Sequence, residues 1–477
     1  MLQAGDHEAQ LYPVSVGCDS GRERPSAGPK RVPPDGARGG DRVVVWRRIW
    51  AAIGPKPFRA TRHLELGSAW AGNSVNCVPF RKDAVLTRGG LRHAAFFDES
   101  GDVVVIRQEL SQGSTERIRL PNDRKPHDAH QSISLGIDSA GRIHLAFGAH
   151  SQPLLVTRSR SDNLGDGFEE SQERFEKATY PMFLTLADGT LALLYRHGRH
   201  DAGEIRMEHL AGDGTNWIAR PQPLVSGFGE PWSCGPYLNT PVVTDDGTIY
   251  LFIVWRMNRQ AVPGGGVVNA GIDCVMSRDG LRSLVTTGGA NLPETVTPMA
   301  SERVVTVPLG SSLINQASAG LLREGEPAFL TYWQTGNGVP QYRLGWRTKR
   351  GWQVSQVSAF RTEFALRGGG TLPLPHSRPE LLVCRDGRAV VLSRSTEHDN
   401  RLLATVLNPP DYRLAGARRQ ILVDEDLGYY EPIVDRGAWR ERQELVLYVQ
   451  HCRQGRGRDG KRDLAAAPAR LMSWVLS

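Results

Sequence analysis

Apolar residues in this chain come in short runs of strand length, separated by tight polar turns. The clearest case is His127 to Arg196. It reads HDAHQSISLGIDSAGRIHLAFGAH and then, after a loop, YPMFLTLADGTLALLYR. Two apolar runs flank an Asp-Ser-Ala-Gly turn and two more flank an Ala-Asp-Gly turn, which predicts two antiparallel hairpins. The unit of strand, turn ending in Gly, and second strand recurs with turns at Gly101, Gly141, Gly189, Gly247, Gly325 and Gly387. A seventh unit without the glycine runs from Tyr429 to Gln450. Further strand-like pieces follow the pairs, such as IRMEHL before Asn216-Trp217 and QYRLGWR before Trp352. Four strands per unit in tandem is the signature of propeller blades. The fold class expected is therefore all-β, a seven-bladed β-propeller over residues 63–477. The last strand, SWVLS, pairs with the early strand TRHLELGSAW to close the ring. A β-sandwich is the runner-up, but seven like hairpins in tandem do not suit it.

Composition agrees with strands and turns: 52 Gly and 30 Pro in 477 residues, 40% hydrophobic and 23% charged. The formal net charge is +7. Residues 1–62 hold 11 Lys/Arg against 6 Asp/Glu, so most of the excess sits in a Pro/Gly-rich extension expected to be disordered or loosely attached. More lies in the Arg453–Arg462 run, read as an exposed loop. No basic stripe interleaves with aromatics, so nucleic acid is not an expected partner. Six scattered cysteines without a CxxC pair read as buried free thiols. Nowhere are 18 consecutive residues apolar, so no membrane span is expected. Met1–Gly40 is polar and the apolar part of Val43–Ile53 is short, so no signal peptide is read. That predicts a cytoplasmic protein, or a secreted or periplasmic one if the start of the chain is misassigned. A monomer is expected.

The repeat lets equivalent places be compared from blade to blade. At the start of the first strand of each hairpin stand His130, Tyr180, Tyr237, Asn315 and Arg378. Near the end of the second stand His150, Arg196, Arg256, Trp333 and Arg394. In a propeller these places ring one mouth of the central channel, and polar groups converging there define a candidate binding site. An antiparallel hairpin also puts His130 beside His150 and Tyr180 beside Arg196. Asn239 joins the candidate binding set with Tyr237, Arg256, Asn315, Trp333 and Arg378.

Two histidines, tyrosines and arginines with no carboxylate pair do not suit ordinary glycoside hydrolysis. A zinc reading of His127, Asp128 and His130 is weak, and His127 and Asp128 read as loop residues; no metal or other cofactor is expected. β-Elimination from a uronic acid fits better. The C5 proton becomes acidic once the neighbouring carboxylate is neutralised, a task suited to a guanidinium. A neutral imidazole can then take that proton. Arg196 is assigned to the carboxylate, His130 or His150 to the base, and Tyr180 or the other histidine to the acid. Tyr237 stacks on, or hydrogen-bonds to, the sugar. His144 reads as structural, and His197, His200 and His209 as rim residues.

These residues resemble the BNR-4 repeat family, whose members include ulvan lyases and rhamnosyl-glucuronate lyases on seven-bladed propellers. The resemblance runs from about His63 to the C-terminus. It is carried by HDAHQSISLGIDSAGRIHLAFGAH, ATYPMFLTLADGTLALLYRHG, GPYLNTPVVTDDGTIYLFIVWR, LINQASAG, VPQYRLGW, FALRGGGTLPLPHSRPELLV and YYEPIVDRGAW. It implies two catalytic histidines, a tyrosine before proline, an arginine after a blade strand and a second tyrosine. Those fall on His130, His150, Tyr180, Arg196 and Tyr237. Around Asn269 the chain reads VNAGIDC and departs from the family's Asn-His-Asp-like run, so no structural metal is carried over. The expectation is a polysaccharide lyase acting on a uronate glycan, with an acidic polysaccharide as partner. The alternatives are a sialidase-like hydrolase and a non-catalytic glycan-binding propeller.

Overall fold

A computed structural model describes residues 56–229, 233–257, 268–367, 369–455 and 465–477. The basic extension up to residue 55, with Val43–Ile53 and Cys18, lies outside the described residues, as does most of the Arg453–Arg462 run.

Seven antiparallel four-stranded blades follow one another. Blade 1 comprises Val85–Arg88, Leu91–Phe97, Val103–Glu109 and Thr115–Leu120. Blade 2 comprises Ser134–Ile137, Ile143–Phe147, Gln152–Arg158 and the first half of a long strand, Gln172–Thr185. The second half of that strand is the inner strand of blade 3, which continues with Leu191–Arg199, Ala202–Leu210 and Trp217–Ala219. Inner strands of the later blades are Cys234–Leu238, Ser318–Leu321, Glu380–Val383 and Ile433–Val434. In blade 7, Glu444–Gln450 pairs with Ala466–Leu476, whose other edge takes Phe58–Trp70. The ring is thus closed by the two ends of the described chain, as the pairing of TRHLELGSAW with SWVLS anticipates. The closing strand starts at Phe58, ahead of His63.

Each blade buries both faces, which is why its second strand reads as an almost continuous apolar run rather than an alternating one. Successive side chains point to opposite faces. Ala146 and Leu193 join blades 2 and 3, while Leu194 and Ile253 join blades 3 and 4. Phe252 and Phe329 join blades 4 and 5, and Leu330 with Val391 joins blades 5 and 6. Leu145 and Ala95 join blades 1 and 2. One larger cluster, containing Leu392, Leu447, Trp474 and Phe96, joins blades 6, 7 and 1. Apolar contact therefore runs round the whole circle.

The turn glycines have left-handed φ, for example +82° at Gly141 and Gly189 and +83° at Gly387, a conformation that costs a side-chain-bearing residue energy. One turn differs in place from the sequence reading. The Gly101 turn lies between the second and third strands of blade 1, and the turn equivalent to the others is Gly89-Gly90. The confusion has a physical cause, because the same aspartate turn is used at both levels. Asp98 accepts from Ser100 N–H and Asp102 N–H as Asp138 does from Ala140 N–H and Arg142 N–H. Cys77, Cys234, Cys274, Cys384 and Cys452 are buried free thiols.

Trp474, 2% exposed in the closing blade, sits where three blades meet. Replacing it by Ala should lower the unfolding free energy by about 3–5 kcal/mol, measured by chemical denaturation. A loss below about 1 kcal/mol would contradict a ring held at this seam.

Candidate active site

Blade architecture delivers the seven inner strands to one channel mouth, and the side chains there come from residues before or within those strands and from the far ends of the second strands. The His130 segment is fixed by its own local chemistry. Ala129–Gln131 form a 3-10 turn capped by Asp128, with Asp128 N–H bonded to Gln131 Oε1 in a capping box. This turn precedes the strand, so His130 is not itself in it. The Asp128 carboxylate reaches two imidazoles at once: His130 Nδ1 lies 2.5 Å from Oδ1 and His150 Nδ1 2.6 Å from Oδ2. The two rings stack with centroids 3.9 Å apart and planes 12° apart. Phe80 stacks on the far side of His130 at 5.5 Å.

Tyr180 sits where the long strand passes from blade 2 to blade 3. The register with Leu191–Arg199 slips there, between the pairs Leu194–Met182 and Arg196–Thr179. Tyr180 has φ +60°, although it precedes a proline, which favours extended backbone. Bulges re-aim side chains, and this one lays the phenol beside Phe80, His130 and Tyr237, with ring centroids 4.9, 5.6 and 5.8 Å away.

Arg196 lies opposite, on the second strand of blade 3. Its Cζ is 4.9 Å from the ring centres of both Tyr180 and Tyr237. It is 2% exposed, and its Nε and Nη1 have no hydrogen-bond partner among the described residues. Other buried arginines are answered. Arg378 forms a two-pronged pair with Glu431, at 2.9 and 2.5 Å. Arg92 meets Asp435 and Glu444, and Arg394 donates to the Tyr430 and Leu374 carbonyls. Among the described residues Arg256 is bound by neutral oxygens, Asn269 Oδ1 at 3.1 Å and Asn315 Oδ1 at 2.8 Å, and its Cζ is 4.5 Å from the Tyr237 ring.

These groups line a cavity of about 520 Å³, which His200, Gln131 and Gly370 also border. A smaller space of about 50 Å³ adjoins it, bordered by Asn315, Gln316, Thr371 and Arg378. His130, His150, Tyr180, Arg196, Tyr237 and Arg256 are thus brought together. Asn315 and Arg378 stand at the smaller space, with the charge of Arg378 met by Glu431. Two of the expected binding residues lie elsewhere. Asn239 ties blade 4 to blade 5, accepting from Ala317 N–H at 3.1 Å. Trp333 packs in the apolar seam between those blades, with Arg343 Cζ 4.9 Å from its ring. His127 packs edge-on to Trp70 at 5.4 Å. His144 is buried, its Nε2 3.0 Å from Asp138 Oδ2.

Sequence reasoning passed over Asp128 and Glu431. The capping-box spacing of Asp128 and Gln131 was a usable signal for the first. Glu431 occupies in blade 7 the place that Arg378 occupies in blade 6, so extending the blade comparison by one step reaches it.

Electrostatics follow from this arrangement. Burial alone would raise the Asp128 carboxyl, but its bonds to His130 and His150 hold it well below the usual carboxylate range. Burial, then the neighbouring His150, push His130 down to about 4. Burial, then Tyr237, raise the Tyr180 phenol, which stays protonated. Asp128, His130 and His150 have donor atoms within 4.8 Å of one another, which raises the question of a metal. Ligands about 2.0–2.2 Å from one zinc ion stand about 3 Å or more apart. The 2.5 and 2.6 Å separations are instead those of atoms joined directly by a hydrogen bond. Asp128 is the one carboxylate bordering either space among the described residues, so the larger cavity presents excess positive charge.

The fold is that of a β-propeller whose channel mouth carries a cavity bordered by Arg196 and Arg256. The sequence profile of the BNR repeat-containing family, BNR_4, matches residues 91–360, more than half of the chain, which therefore belongs to that family. Among solved structures it is similar to the polysaccharide lyase Uly1 at 12% identity and a TM-score of 0.62, covering 88% of this chain and 100% of that one. It is also similar to a PL25 ulvan lyase bound to -[GlcA(1-4)Rha3S]-, at 13% identity and a TM-score of 0.54, covering 76% and 96%. At such identities the likeness shows the fold. No match was found among curated proteins.

Two predictions follow from the buried charges. A guanidinium kept out of water without a partner destabilises the fold, so Arg196→Met should leave the unfolding midpoint unchanged or raise it. A drop of several degrees in a thermal melt would show that Arg196 has a structural partner. His130, His93 and His376 are each depressed to about 4, first of all by burial. Between about 4 and the ordinary histidine value near 6.5, the unfolded chain binds protons that the folded one refuses. Stability should therefore be full above about pH 6.5 and fall as the pH drops toward 4. Melts that stay flat across that window would contradict the burial of these rings.

Proposed function

We propose that this protein is a polysaccharide lyase that cleaves a uronic-acid-containing glycan by β-elimination. The observation that carries the reading is Arg196, buried at the cavity wall with its Nε and Nη1 unanswered among the described residues. A buried cation without a counter-charge is a receptor for an anion, and a planar guanidinium matches a carboxylate in particular. With a uronate carboxylate on Arg196, negative charge developing at C5 is delocalised toward a neutralised group. One of the paired imidazoles takes the C5 proton. The C4–O4 bond breaks as the C4–C5 double bond forms, and O4 leaves as a hydroxyl after receiving a proton from Tyr180 or from the second imidazole. Tyr237, flanked by Arg196 and Arg256, offers its ring or hydroxyl to the sugar. The structural likeness to two polysaccharide lyases supports the reading, and the glucuronate-rhamnose glycan bound by one of them makes such a glycan the first substrate to test.

Hydrolysis in the manner of a glycosidase is less well supported. It calls for a carboxylic acid to protonate the leaving group, and Asp128 is held ionised by its two histidines.

Incubation with ulvan or another rhamnose-glucuronate glycan should raise the ultraviolet absorbance of a 4,5-unsaturated uronate. Arg196→Ala should lower kcat/KM by about a hundred- to a thousandfold while the protein stays folded, since the lost contact strengthens in the transition state. Silence across a panel of uronate glycans would refute the reading, and full activity in Arg196→Ala would refute the assignment of roles.

A further inference from the structure

We infer that Asp128 is a positioning residue that locks both His130 and His150 as Nδ1–H tautomers, making the stacked pair a base with room for a single proton. The inference rests on the lyase reading for its catalytic consequence, but the tautomers themselves belong to the resting protein.

An ionised carboxylate only accepts hydrogen bonds, and a neutral imidazole carries one N–H. Asp128 Oδ1 and Oδ2 each face one Nδ1, at 2.5 and 2.6 Å, so both rings must place their hydrogen on Nδ1. The Thr371 hydroxyl is 3.5 Å from His130 Nδ1, too far to compete. Both Nε2 atoms then carry lone pairs, and neither has a hydrogen-bond partner among the described residues. Both rings border the larger cavity.

Stacking limits what the pair can hold. Two imidazolium rings 3.9 Å apart would repel one another while sharing one carboxylate. The first proton gained is balanced by Asp128, and a second is not. The resting pair can therefore accept the C5 proton but has none on Nε2 to give. This decides between the two acids left open above. The proton reaching O4 comes from the Tyr180 hydroxyl, and the imidazolium formed returns the C5 proton to the phenolate. The C5–H and C4–O4 bonds break, the C4–C5 double bond and O4–H form, and the enzyme regains its starting protonation.

Asp128 also caps the 3-10 turn, its Oδ1 accepting from His130 N–H at 2.9 Å. Asparagine preserves such a cap but offers one acceptor oxygen and an amide donor in place of two oxygens. In Asp128→Asn one ring keeps its Nδ1–H and the other must turn to the Nε2–H tautomer to accept from the amide.

The test is long-range proton–nitrogen correlation on the full chain labelled with 15N-histidine, assigned with His130→Gln and His150→Gln. Expected are two Nδ1–H rings in the wild type and one converted ring in Asp128→Asn. With a cleavable uronate glycan, Asp128→Asn should lose about ten- to a hundredfold in kcat with KM within about twofold. Asp128→Ser, which keeps a cap and removes the carboxylate, should lose at least as much. An Nε2–H ring in the wild type, an unchanged spectrum in Asp128→Asn, or unaltered kcat would overturn the inference. Two Nδ1–H rings in a protein that cleaves no uronate glycan would support the tautomer assignment and refute the lyase reading instead.

Discussion

A buried guanidinium without a counter-ion among the described residues is the constraint around which the site is arranged. Taking a charge out of water is expensive, and proteins normally answer it with a carboxylate or a set of carbonyls. Here Arg378, Arg92 and Arg394 are answered in that way, whereas Arg196 Nε and Nη1 find no partner among the described residues. What surrounds it instead is two tyrosine rings, each 4.9 Å from Cζ. Aromatic faces soften the charge without neutralising it. The cost is carried by the rest of the propeller, whose seams bury apolar side chains from every blade to the next.

The same economy of charge shapes the base. One carboxylate serves two imidazoles, and its own ionisation is secured by them. In the proposed lyase, a second carboxylate in the cavity would cancel Arg196 or Arg256 and weaken the hold on an acidic sugar. Glu431 stands one blade further on and is spent on Arg378. Among the described residues, positive charge is thus left uncancelled at Arg196 and Arg256 and met by a carboxylate at Arg378.

Much of this could be read before any coordinates. Seven repeats of one hairpin specify a propeller, and the blade equivalences bring His130, His150, Tyr180, Arg196 and Tyr237 to one mouth. The reading faltered where local chemistry, rather than the repeat, decides position. Asp128 looked like a loop residue because its role depends on a 3-10 turn and on His150, 22 residues away. Trp333 reads as blade-equivalent, yet the pleat turns it into the seam between blades 4 and 5, and Asn239, just past its strand, is engaged by the backbone of the next blade. A shift of one residue along a strand exchanges channel for seam, and periodicity alone does not resolve it. The Gly101 turn misled for a related reason, because an aspartate turn looks alike at either end of a blade.

The central claim, that Arg196 is a carboxylate receptor, is tested most directly by calorimetric titration with a glucuronate-containing oligosaccharide and its carboxyl-reduced counterpart. The account predicts that the wild-type protein binds the acidic ligand and binds the reduced one at least about tenfold more weakly, and that Arg196→Met abolishes the difference. Equal affinity of the wild type for both ligands would contradict it.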